Sequence, residues 1–191
     1  TIEHITNEAI QNVFDESFRI LKPGGFLRVT APDIDLDYKA WQRNDKSFFY
    51  WKDWYVEQSD YQRIALNKPM NTASIEQLFL QRFAGSVSTL HIDGVPERID
   101  DSKLRKIFNE MEYEKALDYC ISKCSIEIQK KYPGNHMNWV NYKKVSSMLK
   151  EAGFSQVYLS GYGQSSCPVL RETNWFDNTH PKISLYVEAI K

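Results

Sequence analysis

Glycine is scarce in this chain, 8 residues of 191, or about 4% where ~7% is ordinary. Nucleotide-binding proteins spend glycines on a loop that lets backbone approach a phosphate, so the shortage calls for an explanation. Cysteine is scarce too. Cys120, Cys124 and Cys167 are an odd set, too few for a disulfide scaffold, which points to a reducing compartment and an expected cytoplasmic location. No stretch approaches the ~20 apolar residues of a transmembrane span. Nor is there an excess of charge. The 24 Lys and Arg face 25 Asp and Glu, a formal charge of −1, so no general pull toward nucleic acid or anionic lipid is expected. The first residues, Thr1-Ile2-Glu3-His4, lack both the basic and the apolar segment of a signal peptide, and there is no initiator Met; the expectation is a chain processed or cut from something longer.

Aromatics, by contrast, are abundant at 14%, within a composition that is 42% hydrophobic and 26% charged. That is a soluble globular chain of one domain, or one domain with a sizeable insertion. Its start reads as an amphipathic helix. Thr6 is a candidate cap, Glu8 suits the first turn, and Ile10, Val13, Phe14, Phe18 and Leu21 follow helical spacing. Lys22-Pro23-Gly24-Gly25 ends it, and Phe26 to Ala31 follows as a strand stopped by Pro32. Helix, glycine turn and strand make a unit of an α/β sheet.

From residue 34 to 133 the pattern is helical. Ser74 is placed to cap a helix running to Phe83, and Asp100 or Asp101 to cap one carrying Leu104, Ile107, Phe108 and Met111. Tyr113 to Lys131 continues as helix until Pro133-Gly134. The aromatic run Phe48 to Tyr55, inside Ser47 to Gln58, reads as a helix buried between others. After it, Asn141 is a helix cap, Gly153 a helix stop, Gln156 to Ser160 a strand, and Ile183 to Ile190 a terminal strand with Ile183, Leu185, Val187 and Ala189 on one side. Gly161-Tyr162-Gly163 has no helix start behind it and reads as a turn.

Glu3-His4-Ile5, then Leu21-Lys22-Pro23-Gly24-Gly25-Phe26-Leu27-Arg28-Val29 with Pro32-Asp33, resembles class I S-adenosylmethionine-dependent methyltransferases from the loop after their fourth strand to the end of their fifth. His136-Met137-Asn138-Trp139 leading to Ala152-Gly153-Phe154 resembles their last helix and sixth strand. Leu170-Arg171, Asp177-Asn178 and Ser184 to Ala189 resemble their seventh strand, in the manner of bacterial enzymes linked to surface polysaccharide metabolism. The resemblance covers about residues 2–33 and 136–191. It implies a partial Rossmann-like α/β fold with strands five, seven and six side by side in a small mixed sheet, strand seven antiparallel. It also implies a single incomplete domain over 1–191, interrupted by a helical insertion or lid over 34–133. Helices would cover both faces of the fifth strand, leaving both apolar and its outer edge open. A homo-oligomer, or a missing amino-terminal half, is the expected cover for that edge.

The family's glycine-rich loop and its ribose-binding acid have no counterpart here, which accounts for the glycine shortage. The resemblance then implies S-adenosylmethionine as cofactor with its main binding loop absent from this chain, contact through Glu3 and His4, and an acceptor that is a small molecule or saccharide. The chain alone is expected to be inactive. Three candidates carry the chemistry: His4 as general base at the strand-four loop, Asp33 as substrate acid at the carboxyl end of strand five, and His136 at the site mouth. No metal is implied. The run Asp33, Asp35, Asp37 opens like a calcium loop, but Tyr38 and Asn44 stand where that loop needs Gly and Glu, so Asp35 and Asp37 read as helix-entry charges. His91 and His180 read as surface residues. Cys120 and Cys124, four apart on a predicted helix, read as core thiols. Against the enzyme stands a non-catalytic binding or assembly module that has lost the cofactor site. A hydrolase lacks its G-x-S-x-G elbow.

Overall fold

The computed structural model describes residues 1–56, 64–178 and 180–191. In chain order its helices and strands are α1 (Asn7–Ile20), β1 (Phe26–Pro32), α2 (Ile34–Gln42), α3 (Ile75–Gln81), α4 (Asp101–Glu110), α5 (Tyr113–Ile121), α6 (Ile126–Lys131), α7 (Tyr142–Glu151), β2 (Gln156–Leu159) and β3 (Ser184–Ile190). Short 3-10 turns lie between several of them. It is a mixed helix-and-sheet architecture in two compact units, Thr1–Asp33 with Val140–Lys191, and Ile34–Trp139. Among the described residues no helix is long and apolar enough to cross a membrane.

The first unit is built on a three-stranded sheet in the order β1-β3-β2. The register sets Arg28 opposite Glu188 and Val29 opposite Val187 on one side, and Tyr158 opposite Glu188 on the other. Both pairings are antiparallel, which corrects the expected mixed sheet: the parallel strands, β1 and β2, never touch because β3 separates them. Period-two alternation puts Val29, Ala31, Leu185, Val187 and Ala189 on one face. There they are buried with Ile10 and Phe14 of α1, and Val145 and Leu149 of α7. Thr6 caps α1 by accepting the Ala9 N–H at 3.3 Å, and Asn141 caps α7 through the Lys144 N–H at 2.9 Å. Gly153 ends α7 at φ +108°, and a Cβ there would lie 3.0 Å from the Phe18 ring. Only glycine serves that position.

The opposite sheet face is not apolar, contrary to the expectation for a strand sandwiched by helices. It carries Arg28, Thr30, Tyr158, Tyr186 and Glu188, and the segment between β2 and β3 closes over it. The Arg28 guanidinium donates to Asp177 (2.7 Å from Nε), to Glu188 (2.6 Å from Nη1) and to the Gly161 carbonyl (2.8 Å from Nη2). Glu188 also accepts the Tyr158 hydroxyl at 2.7 Å and the Ser166 N–H at 3.2 Å, and Thr30 donates to Asp177 at 2.7 Å. The three charged side chains are 5%, 7% and 0% exposed. A buried charge is tolerated when it is paired and fully hydrogen-bonded, and here each one is.

The second unit is helical, with only isolated strand bridges among its described residues. Ser74 caps α3 and Asp100 caps α4, accepting from Gln77 and Lys103 at 3.3 and 2.8 Å. Phe79 sits at the centre, stacked on Trp41 at 4.9 Å and 7°, with Phe83, Phe108 and Tyr38 around it. Two expected helices change form. The aromatic run is not one buried α-helix. Asp45 accepts the Ser47 and Phe48 N–H groups and starts a 3-10 turn, a second spans Tyr50–Trp54, and only Phe49 and Trp51 of the run are buried. Residues 57 and 58, at its end, lie outside the described residues. The long helix from Tyr113 breaks between Ile121 and Ile126, because Ser122 donates back to the Tyr119 carbonyl and Ser125 caps the next helix. Serine hydroxyls compete with the helical ladder in this way.

Candidate functional site

The sequence candidates fall in both units. In the first, Ile2–His4 form a single 3-10 turn that packs on β1, with Ile2 buried in the core shared by Val29 and Ala31. The turn is thereby anchored, and it carries Glu3 and His4, whose carboxylate and Nε2 lie 3.6 Å apart. Asp33 follows β1 directly, and its N–H donates to the Ile183 carbonyl at 3.1 Å. This sets it at the end of the β1–β3 ladder.

His136 belongs to the second unit, in a segment held residue by residue. The Asn135 carbonyl accepts from Gln129 at 2.9 Å, the His136 carbonyl accepts the Gly85 N–H at 2.9 Å, and Trp139 donates to Asp118 at 2.8 Å. The His136 ring is fixed as well, with Nδ1 2.8 Å from the Arg82 carbonyl. A carbonyl only accepts, so Nδ1 carries the proton, and in the neutral ring Nε2 is the basic nitrogen. This is the tautomer a general base needs.

Arg82, which supplies that carbonyl, is itself 8% exposed. Its Nε lies 3.1 Å from both oxygens of Asp37, which is fully buried, and its guanidinium lies over the Trp51 ring at 5.1 Å. Asp37 lies in the first turn of α2, as a helix-entry charge does, and is at the same time half of a buried ion pair. Burial pushes its carboxyl above the ordinary value, and Arg82 works against that shift. Asp35 takes a separate role and accepts the Tyr113 hydroxyl at 2.8 Å.

No family model, curated protein or solved structure matches this chain. Its chemistry therefore has to be argued from these side chains.

His91 corrects the expectation of a surface residue. It is fully buried, with Nδ1 accepting the Asp93 N–H at 3.2 Å and Nε2 2.9 Å from the Asn135 amide. Burial holds its imidazole below the ordinary value, helped by Arg98 and Lys131 and opposed by Asp93. A neutral ring therefore ties Asn135, and with it the His136 segment, in place. No sequence spacing signals a pairing across 44 residues. His180 is half-buried.

Cys120 lies on α5 and is buried, while Cys124 falls in the break after it rather than on the same helix. Burial pushes the Cys120 thiol up to about 12 and Cys124 to about 11. Thiolate is the reactive form, so a shift from 9.0 to about 12 cuts the reactive fraction of Cys120 roughly a thousandfold. With a disulfide reagent at pH 8, one thiol, Cys167, is expected to react promptly in the folded protein, and the other two only after denaturant is added. Prompt release of three equivalents would contradict the burial.

Proposed function

We propose that this chain is the sheet-closing and acceptor-handling part of a class I S-adenosylmethionine-dependent methyltransferase acting on a small-molecule or saccharide acceptor. The observation that carries the reading is the strand order β1-β3-β2 with β3 antiparallel to both neighbours. The resemblance asks for that arrangement of its fifth, seventh and sixth strands. In support, the helix–glycine turn–strand joint falls as the resemblance requires, with Gly24 at φ +78° and its N–H donating to the Lys191 carbonyl at 2.7 Å.

The residues present make no cradle for the cofactor by themselves. Glu3 and His4 offer one edge, and residues 1–191 contain no counterpart of the glycine-rich loop or of the ribose-binding acid. No step through S-adenosylmethionine is therefore derived. What the chain supplies is acceptor chemistry. Within the second unit, His136, held as the Nδ1–H tautomer, takes the proton of an acceptor hydroxyl at Nε2. Within the first, Asp33 stands at the carboxyl end of β1, where open α/β sheets seat ligands, and His4 lies in the turn that packs on that strand. The open edge of β1 is where this reading seats a partner strand, from a second copy or from an amino-terminal half.

The test is transfer of a labelled methyl group from S-adenosylmethionine by the complete gene product that contains this chain, over a panel of hexoses, uronic acids and sugar phosphates. Transfer is expected, and His136→Gln should lower kcat by about 10²–10⁴, the usual worth of a general base. Absence of cofactor binding by calorimetry would instead favour the binding or assembly module.

A further inference from the structure

We propose that Arg82 and Trp51 form a binding site for an oxyanion, a carboxylate or phosphoryl group carried by a small molecule. The argument starts from donors that lack acceptors. An Arg–carboxylate pair normally closes as a fork, with two parallel N–H···O bonds. Asp37 does not close the fork. Both its oxygens lean on the single Nε, each at 3.1 Å. Among the described residues the two terminal amino groups of Arg82 find no acceptor, although the residue is only 8% exposed. Those amino groups are also not among the sealed polar atoms, so the little surface Arg82 keeps includes them.

Trp51 adds a second donor. Its ring lies under the guanidinium at 5.1 Å, and its indole N–H is buried without an acceptor. A buried donor left unsatisfied costs about 1–3 kcal/mol, and the Trp51 N–H is one; beside it the Arg82 amino groups reach the surface without a protein acceptor, so the two residues together form a place rich in donors and poor in acceptors. An oxyanion is the complement. The planar guanidinium fork matches carboxylate and phosphoryl oxygens, and stacking on an indole fixes the plane of the fork. The charge balance agrees. Burial pushes the Asp37 carboxyl up and so weakens the counter-charge it offers to Arg82. Arg82 would then do two jobs, since its own carbonyl orients His136. That link rests on the methyl-transfer reading and would make the acceptor an acidic sugar. The oxyanion site itself does not depend on it.

The test is calorimetric titration of the chain, without S-adenosylmethionine, with glucuronate, inorganic phosphate and neutral glucose. Saturable binding of at least one anion and none of glucose is expected, with Kd about 1 mM or tighter for a charge-assisted contact. Preference for glucuronate assigns a carboxylate, and preference for phosphate a phosphoryl group. Arg82→Lys keeps the cation beside Asp37 but loses the fork, and should weaken binding at least tenfold. Trp51→Phe keeps the ring, loses the N–H, and should weaken it severalfold. If Arg82→Lys does not fold, the double variant Asp37→Asn with Arg82→Gln removes both charges at similar shape and should abolish binding. No saturation by either anion at roughly 10 mM, ten times the expected Kd, or undiminished binding by these variants, overturns the proposal. Anion binding without methyl transfer by the complete gene product would leave the site standing and sink the enzyme reading alone.

Discussion

Arg28→Met should lower the stability of the protein by about 3–5 kcal/mol at pH 7, the usual cost of removing one partner from a buried ion pair. Methionine keeps most of the length and fills the same space, so the loss reports charge and hydrogen bonding rather than a cavity. Without Arg28, Asp177 and Glu188 would be two buried carboxylates with no cation between them. The segment from Gly161 to Asp177 would also lose the guanidinium that ties it to the sheet. The pH dependence makes the test specific. Burial opposes ionisation of Glu188, but hydrogen bonds from Ser165, Tyr158, the Ser166 N–H and Arg28 together hold its carboxyl below the ordinary 4.5. A carboxylate held low in the folded state contributes stability above its unfolded value and loses it as pH falls through the folded one. Native stability should therefore fall below pH 4.5. The gap between native protein and Arg28→Met should narrow there, because protonated carboxyls need no cation. Urea unfolding at pH 7 and in acid checks both points. A loss under about 1 kcal/mol, the worth of an ordinary exposed pair, or a gap that ignores pH, would show that the network is not what holds this face.

That face was legible in the sequence and still misread. In Phe26 to Ala31 and Ser184 to Ala189, apolar residues alternate with Arg28, Thr30, Tyr186 and Glu188, and strict alternation means one wet or polar face. The family resemblance implies helices on both sides, against that pattern. Local signals fared better. Thr6, Ser74 and Asn141 cap the helices they were expected to cap, and of the alternatives Asp100 and Asp101 it is Asp100 that caps, because a cap is decided within four residues. The strand neighbours also follow. What the sequence did not carry was the pairing of distant polar groups. Asp37 and Arg82 lie 45 residues apart, and His91 and Asn135 44. Such partners are chosen by tertiary packing, and burial alone turns an ordinary Asp or His into a buried one. Ser122 and Ser125 do carry a local signal, since serine hydroxyls compete with the helical ladder, but the apolar spacing on either side of them is helical.

Phe79→Ala should cost about 3–5 kcal/mol, the range for truncating a buried aromatic ring to a methyl group. Phe79 is fully buried and stands where α2, α3 and α4 converge. Its ring stacks on Trp41 at 4.9 Å, meets Phe83 at 5.2 Å and Phe108 at 5.5 Å, and lies 6.0 Å from Tyr38. Removing it leaves a void bounded by rigid rings, which relax poorly, so the cavity term stays large. Phe79→Leu keeps part of the volume but loses the stack and should cost less than half as much. The control is Trp54→Ala. Trp54 belongs to the aromatic run that the sequence marks as the core, yet it is 52% exposed, and its removal should change stability by no more than about 0.5 kcal/mol, as for a surface position. Stability in this unit would then follow placement and not aromatic density. The cluster that matters is assembled from single rings contributed by separate helices, and the run from Phe48 to Tyr55 adds Phe49 and Trp51 to the interior. Equal losses for Phe79→Ala and Trp54→Ala in urea unfolding would overturn that assignment. So would an undisturbed Trp41 environment in near-ultraviolet circular dichroism after Phe79→Ala.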